Sequence, residues 1–245
     1  MQAPHDFPTM PDRQQLAGQL DREGYAMLPG LFDRVQASAL AALIGSDTTL
    51  NGIPSIMGSG AGKVLRLPQK LPEPLDALRA GLYEYLLPIA NGWNETMGSR
   101  LRFPATFDEF SIQNHKSGHG RPLSCLGSLR EHDFQALHQH TEGRRIYPLQ
   151  LVALLSEPGK DFTGGEFVMT EQRPRMQSRP IVLPLRMGDA AIVAVAQRPV
   201  KGSKGSYRVN IKHAVSRVRS GERIGLELVF HDAPCTDAGS ALSLL

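Results

Sequence analysis

Residues 223–232 read Arg-Ile-Gly-Leu-Glu-Leu-Val-Phe-His-Asp (RIGLELVFHD). Strand alternation puts Ile224, Leu226, Leu228 and Phe230 on one face, and Arg223, Gly225, Glu227, Val229 and His231 on the other. The first face is built to pack. The second carries an arginine, a glycine and a carboxylate in a row. An arginine facing the inside of a barrel calls for an anion, and its planar fork matches a carboxylate through two hydrogen bonds. The plainer alternative is an arginine at the strand mouth in a salt bridge.

Seven more short apolar runs precede this strand, separated by Gly, Pro and Asp clusters: 107–113, 135–140, 147–156, 166–170, 181–185, 190–196 and 207–215. Such spacing predicts an antiparallel barrel or sandwich from about residue 106. The chain before it has a helical rhythm. Leu16 and Leu20 predict a helix over 11–22, closed by Gly24; residues 24–32 (GYAMLPGLF) predict a short strand. Asp33 is the expected N-cap of a helix running to Ile44, and 73–97 reads as helical with a break near Pro88. The expected fold class is α+β. One domain over 12–245 follows a loose tail at 1–11, with a helical part to about 105 and a β-core over about 106–232. The 245 residues suit a single large domain.

Several classes are excluded. No apolar run approaches the roughly 18 residues of a membrane helix. The first residues lack the basic-then-apolar order of a secretory leader. Cys125 and Cys235 are too few and too far apart for a disulfide framework or a thiolate metal cluster, so free thiols and a cytoplasmic location are expected. Residues 58–63 (GSGAGK) depart from a phosphate loop, because Met57 stands at the first glycine position and Val64 at the hydroxyl position, and they read as a flexible loop. Cys125 reads as a packed thiol.

The net charge of +3 divides unevenly. Residues 173–223 hold twelve Lys and Arg against Asp189 and Glu222, a net of +10, while the remainder carries −7. Such a segment can serve a nucleic acid, a phosphate or a carboxylate, or form a solvated surface. Its one aromatic is Tyr207, too little for a stacking platform on single strands.

Among the eight histidines, His138 and His140 are two apart after a strand-like run. Alternation places both on one face, where two imidazoles can converge on one metal. A third, His213, lies inside the strand-like run YRVNIKHAV (207–215).

Taken in order, GYAMLPGLF (24–32), LHQHTEGRRIYPLQ (137–150), LLSEPGKDFTGGEFVMTEQRPRMQSR (154–179), VLPLRMGDAAIVAV (182–195) and RPVKGSKGSYRVNIKHAVSRVRSGERIGLELVFHD (198–232) resemble the iron(II)/2-oxoglutarate-dependent oxygenases, nearest to the bacterial prolyl-4-hydroxylase-like type. The resemblance spans 24–232 and is dense from Leu137. It implies a double-stranded β-helix (jelly-roll) core, iron(II), 2-oxoglutarate as co-substrate and dioxygen. That family holds its metal with His-x-Asp/Glu and a distal His, which carries over to His138 and His213. Its basic residue about ten positions further, which grips the far carboxylate of 2-oxoglutarate, corresponds to Arg223. The implied reaction releases succinate and carbon dioxide and hydroxylates, or otherwise oxidises, a small-molecule or peptidyl substrate.

The chain departs from this pattern at three positions. His140 stands where the carboxylate ligand is expected. Either three histidines hold the metal, with one more positive charge at the site, or water or another carboxylate takes the place of His140. Gly225 lacks the hydroxyl that relatives often offer to the oxo-acid. Glu227 shares a face with Arg223, and pairing with a basic neighbour is the expectation over holding a cationic substrate or reaching the metal. Arg173 and Arg175 fall in a loop after a barrel strand and are candidate substrate contacts, or else solvated cations. Two other readings stay open: a three-histidine iron enzyme that does not consume 2-oxoglutarate, and a catalytically degenerate binding protein of the same fold. A cupin is disfavoured, because Arg144 and Arg145 occupy the place of its downstream glutamate. On this reading the basic segment attracts a small anionic co-substrate, and neither nucleic acid nor membrane is an expected partner.

Overall fold

The elements form where local chemistry starts and stops them. The computed structural model describes residues 10–45, 62–203 and 205–235. In chain order they are α1 (Arg13–Glu23), β1 (Tyr25–Leu28), α2 (Arg34–Ala42), β2 (Lys63–Arg66), α3 (Leu75–Thr96) and α4 (Phe107–Lys116). Then come β3 (His119–Arg121), β4 (Cys125–Arg130), β5 (Gln135–His138), β6 (Leu149–Leu154), β7 (Phe162–Gly164) and β8 (Phe167–Gln172). The last are β9 (Arg179–Leu183), β10 (Ala190–Ala194), β11 (Gln197–Gly202), β12 (Gly205–Val215), β13 (Val218–Val229) and β14 (Ala233–Pro234). Residues 1–9 of the expected tail at 1–11 and most of the loop around 58–63 lie outside the described residues.

Asp12 caps α1 by accepting from the amides of Gln14 and Gln15, and Gly24 ends it in the left-handed region at φ 80°. Asp33 and Gln36 form a reciprocal capping box on α2.

Two expectations are corrected. Residues 107–113 form helix α4 rather than a strand, because the Thr106 side chain caps it, Asp108 and Glu109 occupy the first turn, and His115 and Lys116 occupy the last. α3 continues through Pro88 instead of breaking there. Pro88 and Glu84 are both exposed, so the carbonyl that loses its helical partner faces water.

The strands make two main antiparallel sheets and a short β14–β3 pair. The larger sheet runs β1-β10-β6-β13-β4-β2, with β7 also on β13, and the smaller runs β11-β12-β8-β9, with β5 on β12. Together they form the jelly-roll core. Leu16 and Leu20 of α1, and Leu78, Leu82 and Leu86 of α3, join one apolar cluster with Leu151, Ile192, Leu226 and Leu228 of the larger sheet. The helices therefore cover one face of that sheet, and the fold is α+β. Tyr147 locks the layers: its ring lies 4.9 Å from Tyr83 and 5.0 Å from Phe230, and its hydroxyl donates to the Tyr83 carbonyl at 3.0 Å. The other face of β13, with Arg223, Gly225 and Glu227, looks into the space between the sheets.

No described helix is long and apolar enough to cross a membrane.

Candidate metal centre

Three strands deliver the side chains. β5 carries His138, with His140 two residues on, past the strand end. β12 carries His213, which pairs directly with His138 across the ladder. β13 brings Glu227 from the opposing sheet. One candidate ligand atom from each of His138, His140, His213 and Glu227 lies within 4.8 Å of the others. Ring centroids are 4.1 Å apart for His138 and His213, and 5.1 Å for His138 and His140.

Oε2 of Glu227 lies 2.8 Å from Nε2 of His140 and 3.9 Å from Nε2 of His138. The basic neighbours it meets are thus imidazoles, and among the described residues no Arg or Lys pairs with it. Its other oxygen accepts from Gln135 Nε2 at 3.1 Å. Burial alone would raise the Glu227 carboxyl, but hydrogen bonds and charge from His138 and His140 hold it well below the ordinary value. Burial acts against protonation of His138, and Glu227 reverses that to leave it raised. At His213 the charge of Glu227 is outweighed. Burial, then His138, push this ring down to about 3, so it is a neutral imidazole with a lone pair to give.

The donor set fits a metal of the iron class. Ligands at about 2.0–2.2 Å lie roughly 2.9 Å apart when adjacent and about 4.2 Å when opposite. The His140–Glu227 separation matches the adjacent case, and the cluster needs little contraction. The tautomers agree. In its neutral form His138 keeps the proton on Nδ1, which donates to the carbonyl of Ala136 at 3.0 Å, and Nε2 is then the lone pair a metal would take in place of the proton shared with Glu227. His213 is fully buried, and its Nδ1 has no hydrogen-bond partner among the described residues. Nor has Oε1 of the buried Gln150, whose amide lies 3.1 Å from His213 Nε2. With that amide turned over, Oε1 accepts from Nε2–H, and Nδ1 is left as a buried lone pair.

Arg223 is 5% exposed. Burial lowers it to about 10, opposed by Glu227 and Glu166, so it stays cationic at neutral pH. Its Nε donates to the Gly165 carbonyl at 2.7 Å, the one hydrogen bond it makes among the described residues. The rest of the fork faces a cavity shared with Gln135 and Glu227. Gly165 has φ 65°, and a Cβ there would stand 3.0 Å from the Arg223 stem, so this glycine in the turn after β7 seats the arginine. Arg173 pairs with Glu171 at 2.9 Å. Arg175 sits exposed in the turn between β8 and β9, at φ 62°. Neither belongs to the cluster.

Sequence reasoning missed the supporting residues. Gln150 is the lone polar residue in a fully buried strand, LQLVAL, and that contrast was a readable signal. Gln135 and His231 carried none. His231 Nε2 donates to the His140 carbonyl at 3.1 Å and fixes the segment beyond β5.

A profile of the Oxygenase-NA family, described as "Oxygenase, catalysing oxidative methylation of damaged DNA", matches residues 62–233. Uncharacterised proteins from two strains of Mycobacterium tuberculosis are each 36% identical over 185 residues, covering 76% of this chain and 79% of theirs. A Pseudomonas putida prolyl-4-hydroxylase superposes with a TM-score of 0.54 at 13% identity, covering 91% of this chain and all of that one. A 2-oxoglutarate/iron(II) oxygenase-family oxidoreductase from Burkholderia pseudomallei gives 0.51 at 19%, covering 97% of this chain and all of that one. These identities establish the shared fold and not a prolyl-hydroxylase branch. The expectation against nucleic acid is overturned by the family match, which points to a nucleic-acid-associated role. Weighing aromatic content misled, because stacking platforms are one way of binding nucleic acid and not a requirement for it. The chain shares its fold with these 2-oxoglutarate/iron(II) oxygenase-like structures, and by a match over most of its length it belongs to the Oxygenase-NA family.

Proposed function

We propose that this chain is an iron(II)- and 2-oxoglutarate-dependent oxygenase acting on damaged bases in DNA, with iron held at rest by His138, His140, His213 and Glu227, one of which would have to give way before the oxo-acid and dioxygen could both bind. The observation that carries the reading is the Glu227 carboxylate, 2.8 Å from His140. His140 replaces the family's anionic ligand, and Glu227 supplies an anion at the same centre from another strand. Three neutral imidazoles and one carboxylate leave iron(II) at net +1, the charge of a two-histidine, one-carboxylate site. The extra positive charge expected from His140 is thereby removed.

When bound, iron with 2-oxoglutarate supplies reduction of dioxygen coupled to loss of carbon dioxide and formation of succinate. The chain's residues do the rest. Arg223 presents a desolvated fork to the far carboxylate of the oxo-acid. Ala136 and Gln150 orient His138 and His213, Gln135 holds the outer oxygen of Glu227, and His231 holds the His140 backbone. The family description supports DNA as the substrate.

The test is succinate formation by iron-loaded protein, with a duplex carrying methylated bases and with the same duplex unmodified. The reading expects iron-dependent succinate, stimulated by the modified strand, whose mass changes. Oxygen uptake without succinate would overturn the oxo-acid part. Succinate without response to any modified DNA would overturn the substrate part.

A further inference from the structure

Gly127 of β4 and Gly225 of β13 face each other in the ladder, between the Arg223–Leu129 and Glu227–Cys125 pairs. Alternation puts Gly225 on the face of Arg223 and Glu227, and direct pairing puts Gly127 on that face too. Two paired glycines in a central strand pair leave nothing to pack, and with no bulge in this register they suit close approach of a ligand or another backbone.

The two glycines do different things. A Cβ on Gly225 would stand 2.7 Å from Nη1 of Arg223 and 3.3 Å from the Ala153 carbonyl, so its absence lets the guanidinium lie over position 225. A Cβ on Gly127 would meet nothing within 4 Å, and its φ lies outside the left-handed region. Neither backbone geometry nor packing requires glycine there. What position 127 borders is the cavity of about 50 Å³ whose lining includes Arg223, Gly225, Gln135 and Glu227.

Resting on the reading of Arg223 as the oxo-acid anchor, we propose that Gly127 sets the size of acid this site accepts. The Gly127–Gly225 pair is the floor on which the carbon chain of a five-carbon 2-oxo dicarboxylate lies between the Arg223 fork and the metal cluster. A branched side chain at 127 occupies that floor. A Cβ there comes within 4 Å of neither Arg223 nor any of the four candidate ligands, so a two-carbon acid that stays at the metal is still accepted.

The experiment is calorimetric titration of the full chain loaded with Mn(II), without oxygen, for wild type, Gly127→Ala and Gly127→Val. The probes are Mn(II) alone, 2-oxoglutarate and oxalate. Thermal melting and the Mn(II) affinity report on the fold, and Gly127→Ala is the mild variant. The expected result is a Kd for 2-oxoglutarate raised at least about tenfold by Gly127→Val and less by Gly127→Ala. Mn(II) and oxalate affinities should stay within about threefold of wild type. Equal weakening of oxalate and 2-oxoglutarate, or no weakening of 2-oxoglutarate, overturns the role of Gly127. Failure of the wild-type Mn(II) form to bind 2-oxoglutarate overturns the underlying reading, and the role of Gly127 with it.

Discussion

The carboxylate of Glu227 and the imidazole of His140 meet at 2.8 Å across 87 residues of chain. One comes from β13 of the larger sheet, the other from just past β5 of the smaller. The contact joins the two sheets at the point where the metal ligands converge. It also brings a carboxylate to a cluster whose local sequence motif, His-x-His, contains none.

Exchange of this carboxylate should be felt first in metal affinity. Glu227→Gln keeps the shape and removes the charge, and a loss of about 10–100-fold or more in iron(II) or Mn(II) affinity is expected. The double variant His140→Asp/Glu227→Gln returns the anion to the position relatives use. It should bind more tightly than Glu227→Gln alone. Metal titration checks both, and an unchanged affinity in Glu227→Gln would remove Glu227 from the ligand set.

Gln150 touches no candidate substrate space, yet it should matter. Gln150→Leu takes away the polar partner of the His213 ring, leaving a buried polar atom unmatched. A loss of about 10–100-fold in metal affinity is expected, with a stability cost of roughly 1–3 kcal/mol. Chemical denaturation of the metal-free protein separates the two effects.

Arg223 should act on the co-substrate and not on the metal. Arg223→Met removes a charge-assisted, two-pronged contact of about 1.5–3 kcal/mol, so the KM for 2-oxoglutarate should rise roughly 10–150-fold. Arg223→Lys should recover little, because a point charge cannot reproduce the fork. Metal affinity should hold in both variants.

The fold depends on a second buried charge pair, away from the centre. Arg198 is 2% exposed, donates to Glu171, and bonds the carbonyl of Asp21 in α1 at 2.9 Å. Glu171→Gln strands that cation and should cost about 3–5 kcal/mol. Burial works to raise the Glu171 carboxyl, but Arg173 and Arg198 hold it below 4.5. A depressed carboxylate contributes stability that is full above its unfolded pKa and lost as pH falls through the folded one. Wild type should therefore lose stability below about pH 4.5 more steeply than Glu171→Gln, as urea melts across pH 3–6 would show.

Much of this was legible in the residues because period-two patterning is strong where one face is buried. The strand at 223–230 and its two faces followed from alternation alone, and the caps at Asp33 and Gly24 from their residue types. β4 was not legible: CLGSLR has Gly127 and Ser128 in its middle, so the strand that supplies the cavity floor lacks a strand's signature. The run at 107–113 reads as a strand because Phe107 and Phe110 are apolar and the run is short, and only the charged ends of α4 tell it apart. At the site, His138, His140 and His213 stood out by type and order. Glu227 did not, since whether it meets Arg223 or the histidines depends on sheet-to-sheet geometry that no local pattern encodes. The nucleic-acid expectation failed for a related reason: composition reports charge, and substrate class lies in the shape of a site.

The most direct test is iron-edge anomalous diffraction from crystals of the protein loaded with iron(II) under anaerobic conditions. The account predicts one strong peak between β5, β12 and β13, about 2.0–2.2 Å from a ring nitrogen of each of His138, His140 and His213 and from a carboxylate oxygen of Glu227. Iron bound with Glu227 turned away, or no peak at this cluster, would contradict it.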